Sequence, residues 1–231
     1  MNKSLCQNCF DADESIFKNL PADAVEFLKQ NHTCISYKKT EIIFKQGDKP
    51  SGLVCLANGK VKIYKEGIGG REHIIRLTKT FHFIGFRALF ANEHYKASAV
   101  ALEDSVICII SKEALYKVLE ENALLAIKFI HLLATELGSS NLKTITLTQK
   151  HVRGRLAEAI IQLIDIYGIN KTTKAINVQL PREDLAQLSS MTASNAIRTL
   201  ASFVNEGIIS LEGKNIIVHD LEGLNKISEQ G

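Results

Sequence analysis

Short hydrogen-bonding side chains and one arginine recur at helical spacing within residues 192–205. At about 100° per residue they share one sector of the helix, roughly 140° wide, and apolar side chains fill the opposite sector. The polar sector holds Ser194, Asn195, Arg198, Thr199, Ser202 and Asn205, and the apolar one Ala196, Ile197, Leu200, Phe203 and Val204. Small polar groups let a helix approach DNA base edges closely, and an arginine pairs with guanine or with a phosphate. The competing interpretation is a solvated helix face that contacts nothing.

The neighbouring segments favour the nucleic-acid interpretation. Pro181 and the acids after it begin a short helix, a break follows at 189–191, and Thr192 has the hydroxyl of an N-cap. Strands over 208–211 and 216–219, joined through residues 212–215, complete a hairpin. Helix, short turn, capped helix and hairpin in this order predict a winged helix-turn-helix. The candidate DNA contacts are Arg182, Thr192, Ala193, Ser194, Asn195, Arg198 and Lys214, with Arg182 and Lys214 on phosphates.

Composition narrows the class of protein. The chain has 231 residues and a net charge of +3, so a DNA site must come from local placement of charge. It has neither a signal peptide nor an apolar run of about 18 residues, and we expect a cytoplasmic protein without a membrane partner. In that compartment its five cysteines should be reduced thiols or ligands, not disulfides. No nucleophile–base motif or phosphate-binding glycine loop is present, and we expect no enzyme.

Three blocks with different periodicity must position these residues. Residues 1–119 hold short β-like runs broken by glycine turns, with helices over 14–30 and 112–119 at either side. The runs are 41–44, 52–56, 60–64, 73–77 and 106–110. A long helix occupies the block 120–149, and residues 150–231 form the third block, which begins with an amphipathic helix and contains a strand over 175–180.

The long helix carries an apolar repeat in alternating steps of four and three residues, which is typical of a coiled-coil seam. The predicted dimer contacts are Ala126, Ile130, Leu133, Leu137, Ser140 and Thr144, and Leu147 continues the repeat. A second apolar face at Leu125, Phe129 and Leu132 would lie on the helix's own domain. The competing interpretation is a single core helix within a monomer.

Four short motifs precede or adjoin the helix-turn-helix in a specific order. They are IFKQGD at 43–48, LANGKV at 56–61, FIGF at 83–86 and VRGRLA at 152–157. Together they resemble the CRP/FNR superfamily, the cyclic-AMP receptor protein and fumarate–nitrate regulator type, over nearly the whole chain. The resemblance implies an α+β fold with a cyclic-nucleotide-binding-type β-roll (a jelly roll), a long dimerisation helix and a C-terminal winged helix-turn-helix. It also implies a homodimer that binds an inverted repeat of double-stranded DNA and works with RNA polymerase.

The resemblance also identifies the effector pocket. Nucleotide-binding members use a Gly-Glu pair for the ribose, an Arg-Ser pair for the phosphate and a Thr-Ser pair for the purine. The matching residues here are Gly85, Phe86, Lys96, Ala97, Ser140 and Asn141. Because the bidentate arginine and its hydroxyl neighbour are lost, we expect that cyclic AMP is not the effector.

A third implication concerns metals. Iron–sulfur members carry an N-terminal cysteine cluster and one distant cysteine, which Cys6, Cys9 and Cys108 resemble, but Ser15 stands at the place of the remaining one. Asp11 or Asp13 is a conceivable substitute, and a redox-inert pair is the competing interpretation. Haem also stays open, with His32, His73, His82, His94 and His131 as candidate ligands. The alternative functions are an iron–sulfur or haem redox sensor and a ligand-binding module that acts on a protein partner.

On the predicted reading helix, Arg198 resembles the arginine that family members place on a guanine. Ala193 and Ser194 replace the larger residues of well-known members. Asn195 can pair with adenine, and Ala193 can meet a thymine methyl. The half-site should therefore differ from theirs at these upstream positions.

Overall fold

The structure is a computed structural model that describes Cys6, residues 9–67, Gly70 and residues 72–231. The chain divides into two compact units. The first consists of Met1–Glu66 and Ile75–Leu137, and the second of Gly67–Ile74 and Gly138–Gly231. The boundary between the two units within the long helix falls at Gly138. The division into three blocks stays a prediction.

Two four-stranded antiparallel sheets form the β-roll. Their strands are β1 (His32–Tyr37), β2 (Ile42–Phe44), β3 (Gly52–Asn58), β4 (Lys60–Glu66), β5 (Glu72–Lys79), β6 (Phe83–Ile84), β7 (Ser98–Ala101) and β8 (Ser105–Ser111). One sheet has the order β1-β8-β3-β6 and the other β2-β7-β4-β5. All five β-like runs of the sequence are strands here, which confirms the predicted fold class; β1, β6 and β7 are strands that the sequence analysis did not single out.

Strands β3 and β8 are buried on both faces, which explains their unbroken apolar sequences. Alternate side chains of a strand point to opposite sides of the sheet. Those on one side join a core shared with helices, among them Leu53, Cys55, Ala57, Val106, Cys108 and Ile110. Those on the other side join the core between the sheets, among them Val54, Leu56 and Ile107.

The helices of this part of the chain are α1 (Ala22–Gln30), α2 (Phe86–Phe90), α3 (Lys112–Glu121) and the long α4 (Ala123–Gln149). The helix expected over 14–30 is wrong in its first half, because residues 12–20 form hydrogen-bonded turns and Pro21 is the N-cap of α1. A turn at Asn19 with φ 74° separates those turns from the helix. The long helix begins at Ala123, not at 120, because α3 continues to Glu121.

Helix α4 exposes an apolar stripe, defined by Leu124, Ile127, Ile130, Leu137, Leu142 and Ile145. Leu125 and Phe129, on the opposite face, are buried in the core that the helices share with the sheet. Of the predicted seam, Ile130 and Leu137 lie in the apolar stripe, whereas Leu133 packs against that core. By length and composition alone α4 is apolar enough to cross a membrane, although the sequence analysis expected no such run.

The second unit contains α5 (Val152–Tyr167), α6 (Arg182–Leu188), α7 (Ala193–Asn205), the hairpin β9 (Ile209–Glu212) and β10 (Asn215–Val218), and α8 (Leu221–Gln230). The strand expected over 175–180 is wrong. Only isolated bridges form there, Ile169 with Ile176 and Ala175 with Ile217. The N–H of Asn177 donates to the carbonyl of Gly168 and that of Asn170 to the carbonyl of Ala175, and these two bonds make the single bridge of Ile169 with Ile176.

A disulfide joins Cys6 to Cys34, so the expectation of reduced thiols is wrong for these two residues. Their Cα atoms lie 6.3 Å apart although 28 residues separate them in sequence. The fold brings them together, and sequence spacing carries no signal of such a contact. Cys9, Cys55 and Cys108 are free and buried.

Candidate nucleic-acid interface

Helix α7 presents the predicted polar face to solvent. The Thr192 hydroxyl accepts a hydrogen bond from the Asn195 N–H at 3.2 Å, which fixes the start of the helix as an N-cap does. Ser194 and Arg198 are exposed, and Ala193 and Asn195 are half-buried. Within the described residues, the Arg198 guanidinium makes no hydrogen bond or ion pair, so it is available to a ligand.

The buried face of α7 is narrower than the sequence predicts. Ala196, Leu200 and Phe203 are buried, but Ile197 is 53% exposed and Val204 37% exposed. Assigning these two to the core is therefore wrong. They sit at the margins of the apolar sector, where the neighbouring elements do not cover them.

Two arginines of α5 hold the helix-turn-helix in place. The Arg155 guanidinium donates to the carbonyl of Ser190 at 3.0 Å, in the turn between α6 and α7, where Ser190 has φ 52°. Arg153 pairs with Glu206 just after α7, donates to the Ser202 hydroxyl at 2.7 Å and lies 4.9 Å from the centre of the Phe203 ring. These contacts fix the turn and the end of α7.

Arg153 lowers the pKa of the Glu206 carboxyl by a hydrogen bond, so this pair stays charged. Neither arginine was predicted to be a positioning residue. The available signal was the VRGRLA motif, which marked the segment without showing what its arginines touch.

The hairpin β9–β10 is the predicted wing, and its tip is tied to α6. Glu212 pairs with Asn215, so the turn is Gly213 and Lys214, with Gly213 at φ +58°. Arg182, at the first residue of α6, donates to the carbonyl of Gly213 at 2.8 Å. Burial lowers the pKa of Arg182. Lys214 is exposed at the tip and can reach a phosphate. One N–H of Arg182 is already used in the hydrogen bond to Gly213.

Gly85 and Phe86 of the predicted effector pocket lie among aromatic side chains of the first unit. Gly85 has φ +69°, and a Cβ there would lie 2.5 Å from a ring carbon of Tyr95. The Tyr95 ring stacks on Phe44 with centroids 3.9 Å apart. Phe86 is buried, and the guanidinium of Arg76 lies 5.9 Å from the centre of its ring. Aromatic side chains of the chain itself therefore fill the space beside Gly85.

Two further residues of the predicted pocket, Lys96 and Ala97, lie in the first unit, and two, Ser140 and Asn141, in the second. Lys96 is exposed, and its ammonium lies 3.9 Å from Glu93, whose pKa is lowered by a hydrogen bond from Arg87. Ala97 packs at the edge of the core between the sheets. Ser140 and Asn141 are exposed on the part of α4 that belongs to the second unit.

The five cysteines converge in the first unit. Cys108 on β8 is paired with Cys34 on β1 and with Cys55 on β3, so three neighbouring strands carry one row of sulfurs on the same face. Cys6 and Cys9 lie against this row in the same core. Hydrogen bonds from Cys108 and Cys55 lower the pKa of the Cys9 thiol to about 4 and raise the pKa values of the two donors.

A cubane iron–sulfur cluster does not fit this arrangement. Such a cluster sits between four thiolates and holds them apart, whereas Cys9 is within hydrogen-bonding reach of Cys108 and Cys55. The Ser15 hydroxyl, at the place of the missing cysteine, is buried, donates to the carbonyl of Cys9 at 2.5 Å and accepts from the Phe17 N–H. Asp11 forms an ion pair with Lys29, and Asp13 one with Lys18.

Among the candidate haem ligands, His82, His94 and His131 are exposed and His73 is half-buried. Only His32 is described beside the sulfurs, where its ring approaches Cys6 and Cys108. The predicted ligands Cys6, Cys9 and Cys108 are thus brought together, and Cys34, Cys55 and His32 join them. Cys34 and Cys55 were not predicted as site residues, because only strand pairing puts them beside Cys108.

Comparison with known proteins matches both halves of the chain. Residues 34–122 match the cyclic nucleotide-binding domain family, and residues 154–227 the Crp-like helix-turn-helix domain family. The "Anaerobic regulatory protein" of Bacillus subtilis is 28% identical over 87% of this chain and 85% of its own length. The "CRP-like cAMP-activated global transcriptional regulator" of Mycobacterium tuberculosis is 24% identical over 92% of this chain and 96% of its own.

Solved structures show the same fold. The catabolite activator protein of Thermus thermophilus is 25% identical, with a TM-score of 0.52 over 93% of this chain and 98% of its own. FixK2 from Bradyrhizobium japonicum is 21% identical, with a TM-score of 0.75 over 85% of this chain and 96% of its own.

Proposed function

The chain belongs to the CRP/FNR superfamily of transcription regulators, and on that premise we propose that it is a homodimer that binds an inverted repeat in DNA. The observation that carries this proposal is the exposed face of α7. Its N-cap is formed, its long cation Arg198 is unpaired within the described chain, and the wing lysine Lys214 lies in the same unit. Residues of this kind read base edges and phosphates in the major groove.

The apolar stripe of α4 supports a homodimer. Six large apolar side chains on one helix face stay in contact with water in a single copy, and covering them with the same face of a second copy removes that cost. The opposite face of α4 is engaged by the chain's own core through Leu125 and Phe129. A helix held in this way is not surrounded by lipid, which favours a partner copy over a membrane. A two-fold dimer would place two copies of α7 about one DNA turn apart.

Cyclic AMP is not the effector in this proposal. A cyclic phosphate needs a cation directed inward, but Lys96 is exposed and faces Glu93. The ribose needs a hydrogen-bonding partner next to Gly85, but Phe86 and the stacked pair Phe44 and Tyr95 occupy that region.

As a regulator of transcription the dimer would work in the cytoplasm, on promoter DNA and with RNA polymerase. The second candidate function, a β-roll that acts on a protein partner, does not require an exposed reading helix. The test is a binding selection from randomised duplex DNA with the full-length protein, under reducing and oxidising conditions and at two salt concentrations.

We expect an inverted repeat whose half-sites are one turn apart, with affinity that falls as salt rises. No DNA selected under any of these conditions would favour the protein-partner function. Calorimetry with cyclic AMP should show no binding; micromolar affinity coupled to tighter DNA binding would overturn the assignment of the pocket.

A further inference from the structure

We propose that the reduced chain binds one thiophilic divalent metal ion, of the Zn²⁺ class, between the N-terminal cysteines and the first sheet. The ligands are the sulfurs of Cys6, Cys9 and Cys108 and the Nε2 atom of His32. The Cys6–Cys34 disulfide is the oxidised, metal-free alternative of the same site. This proposal goes beyond the proposed DNA-binding function and does not depend on it.

Three of the four ligand atoms already lie close to the separations that a single ion requires. The sulfurs of Cys6 and Cys108 and a ring nitrogen of His32 are all within 4.8 Å of one another. Zinc–sulfur bonds of about 2.3 Å in a tetrahedron place two sulfurs about 3.8 Å apart, so only a small contraction is needed. Cys9, whose thiol hydrogen-bonds with Cys108 but lies outside that group of three, supplies the fourth vertex by a shift of its side chain. Its spacing of three residues from Cys6 is that of a zinc-binding Cys-x-x-Cys pair.

The imidazole of His32 is oriented as a metal ligand. Its Nδ1 atom lies 2.5 Å from the carbonyl oxygen of Lys29, and as the donor of that bond it leaves Nε2 without a proton. Metal-binding histidines make this second hydrogen bond almost always, because it fixes the ring and the tautomer. Phe10 packs edge-on against the ring, with centroids 5.5 Å apart, and further restricts its orientation. A surface histidine needs neither restraint.

The site is also closed, as structural zinc sites are. Cys6, Cys9 and Cys108 are at most 2% exposed, within the core that contains Phe10 and Phe17. Three thiolates in such surroundings are costly without a cation to neutralise them. Cys55 lies beside Cys9 and can donate a hydrogen bond to its sulfur, which is the usual role of a group behind a ligand.

Oxidation removes one ligand. Hydrogen peroxide takes two electrons from the Cys6 thiolate and the Cys34 thiol, and the S–S bond forms. The proton of the Cys34 thiol and one proton from solvent complete the reduction of the peroxide to two molecules of water. Cys6 is then bonded to Cys34 and can no longer bind the ion as a thiolate. The three remaining ligands hold the metal more weakly, and the ion is released.

The test uses full-length protein, reduced without oxygen, freed of metal and titrated with Co²⁺ and then Zn²⁺. We expect one Co²⁺ per chain with thiolate charge-transfer bands and tetrahedral d–d bands, which Zn²⁺ abolishes. Absence of these bands, or a visible chromophore that contains iron and inorganic sulfide, would overturn the proposal. This readout needs no variant and no DNA, so it is independent of the proposed function.

Variants then identify the ligands, with circular dichroism and melting curves to check that each is folded. His32→Gln should weaken Zn²⁺ binding by at least about tenfold. His94→Gln, the matched control at an exposed histidine, should retain one Co²⁺ per chain with the same tetrahedral d–d bands. Cys34→Ser should keep its metal in peroxide under conditions in which the wild type releases it. Equal release from the two proteins, or Zn²⁺ binding by His32→Gln that is as tight as that of His94→Gln, would refute the ligand set.

Discussion

Replacing Arg198 tests the base-reading role of α7 most directly. The side chain is exposed and makes no hydrogen bond or ion pair within the described chain, so Arg198→Ala removes no intramolecular contact. Exposed substitutions of this kind change the free energy of unfolding by at most about 0.5 kcal/mol. The melting temperature of the protein should therefore stay the same. Any loss of DNA affinity then belongs to the interface and not to the fold.

The size of the loss follows from the contact that arginine makes. A bidentate pair with guanine is worth about 1–3 kcal/mol of discrimination. A dimer carries the substitution in both half-sites, so the total is about 2–6 kcal/mol, or roughly 30-fold to 10⁴-fold in Kd. Removal of the charge alone would instead weaken binding to every DNA sequence by a similar factor and reduce the dependence of the affinity on salt concentration.

The assay is a base-resolved binding selection, followed by fluorescence anisotropy on the selected site and on variants at one base pair. Arg198→Lys keeps the charge but loses the fork geometry, so it should retain the salt dependence while losing the guanine preference. Lys226→Ala removes an exposed cation of α8 and controls for net charge. If wild type and Arg198→Ala select the same site with the same stringency, Arg198 does not read a base.

Three further predictions follow from the described contacts. Leu137→Lys places a charge in the apolar stripe at a residue that is 64% exposed in one copy, and light scattering should show a monomer that is still folded. Arg182→Ala removes the hydrogen bond to the Gly213 carbonyl. We expect the free energy of unfolding to fall by about 1–2 kcal/mol and the backbone amides of the wing to exchange with solvent faster than in the wild type. Burial raises the pKa of Tyr95 from 10.0 to about 12, so the folded state holds the phenol proton more tightly than the unfolded state does. The contribution of this proton to stability should be complete below pH 10 and should vanish between pH 10 and about 12. Denaturant titrations of wild type and Tyr95→Phe across this pH range measure it.

For each of these three substitutions, a control or a contradicting result can be named. Ser139→Lys adds the same charge about 160° around α4 from Leu137 and should leave the oligomeric state unchanged; a Leu137→Lys protein of wild-type mass would contradict the dimer. Unchanged amide exchange of the wing in Arg182→Ala would show that the tie to Gly213 is dispensable. A loss of stability above pH 10 that is as large in Tyr95→Phe as in the wild type would refute the assignment to Tyr95.

The winged helix-turn-helix could be predicted because its signals are local. Pro181 precedes α6, the Thr192 hydroxyl caps α7 and Gly213 allows the turn of the wing, each through the backbone of the next few residues. The β-roll strands were predictable for the same reason, since alternation and turn residues act within a few positions. Short strands such as β6 escaped prediction because two residues carry no periodicity.

What the sequence could not supply is the set of contacts between distant segments. Strand pairing decides that Cys34, Cys55 and Cys108 form one row. The face that α4 turns to the core decides that Leu133 packs inward while Leu137 stays exposed. The sequence by itself determined which elements form, because capping, turns and side-chain periodicity act over a few residues. The tertiary structure alone decided which sulfurs and cations meet, because those distances depend on how sheets and helices far apart in the chain pack together.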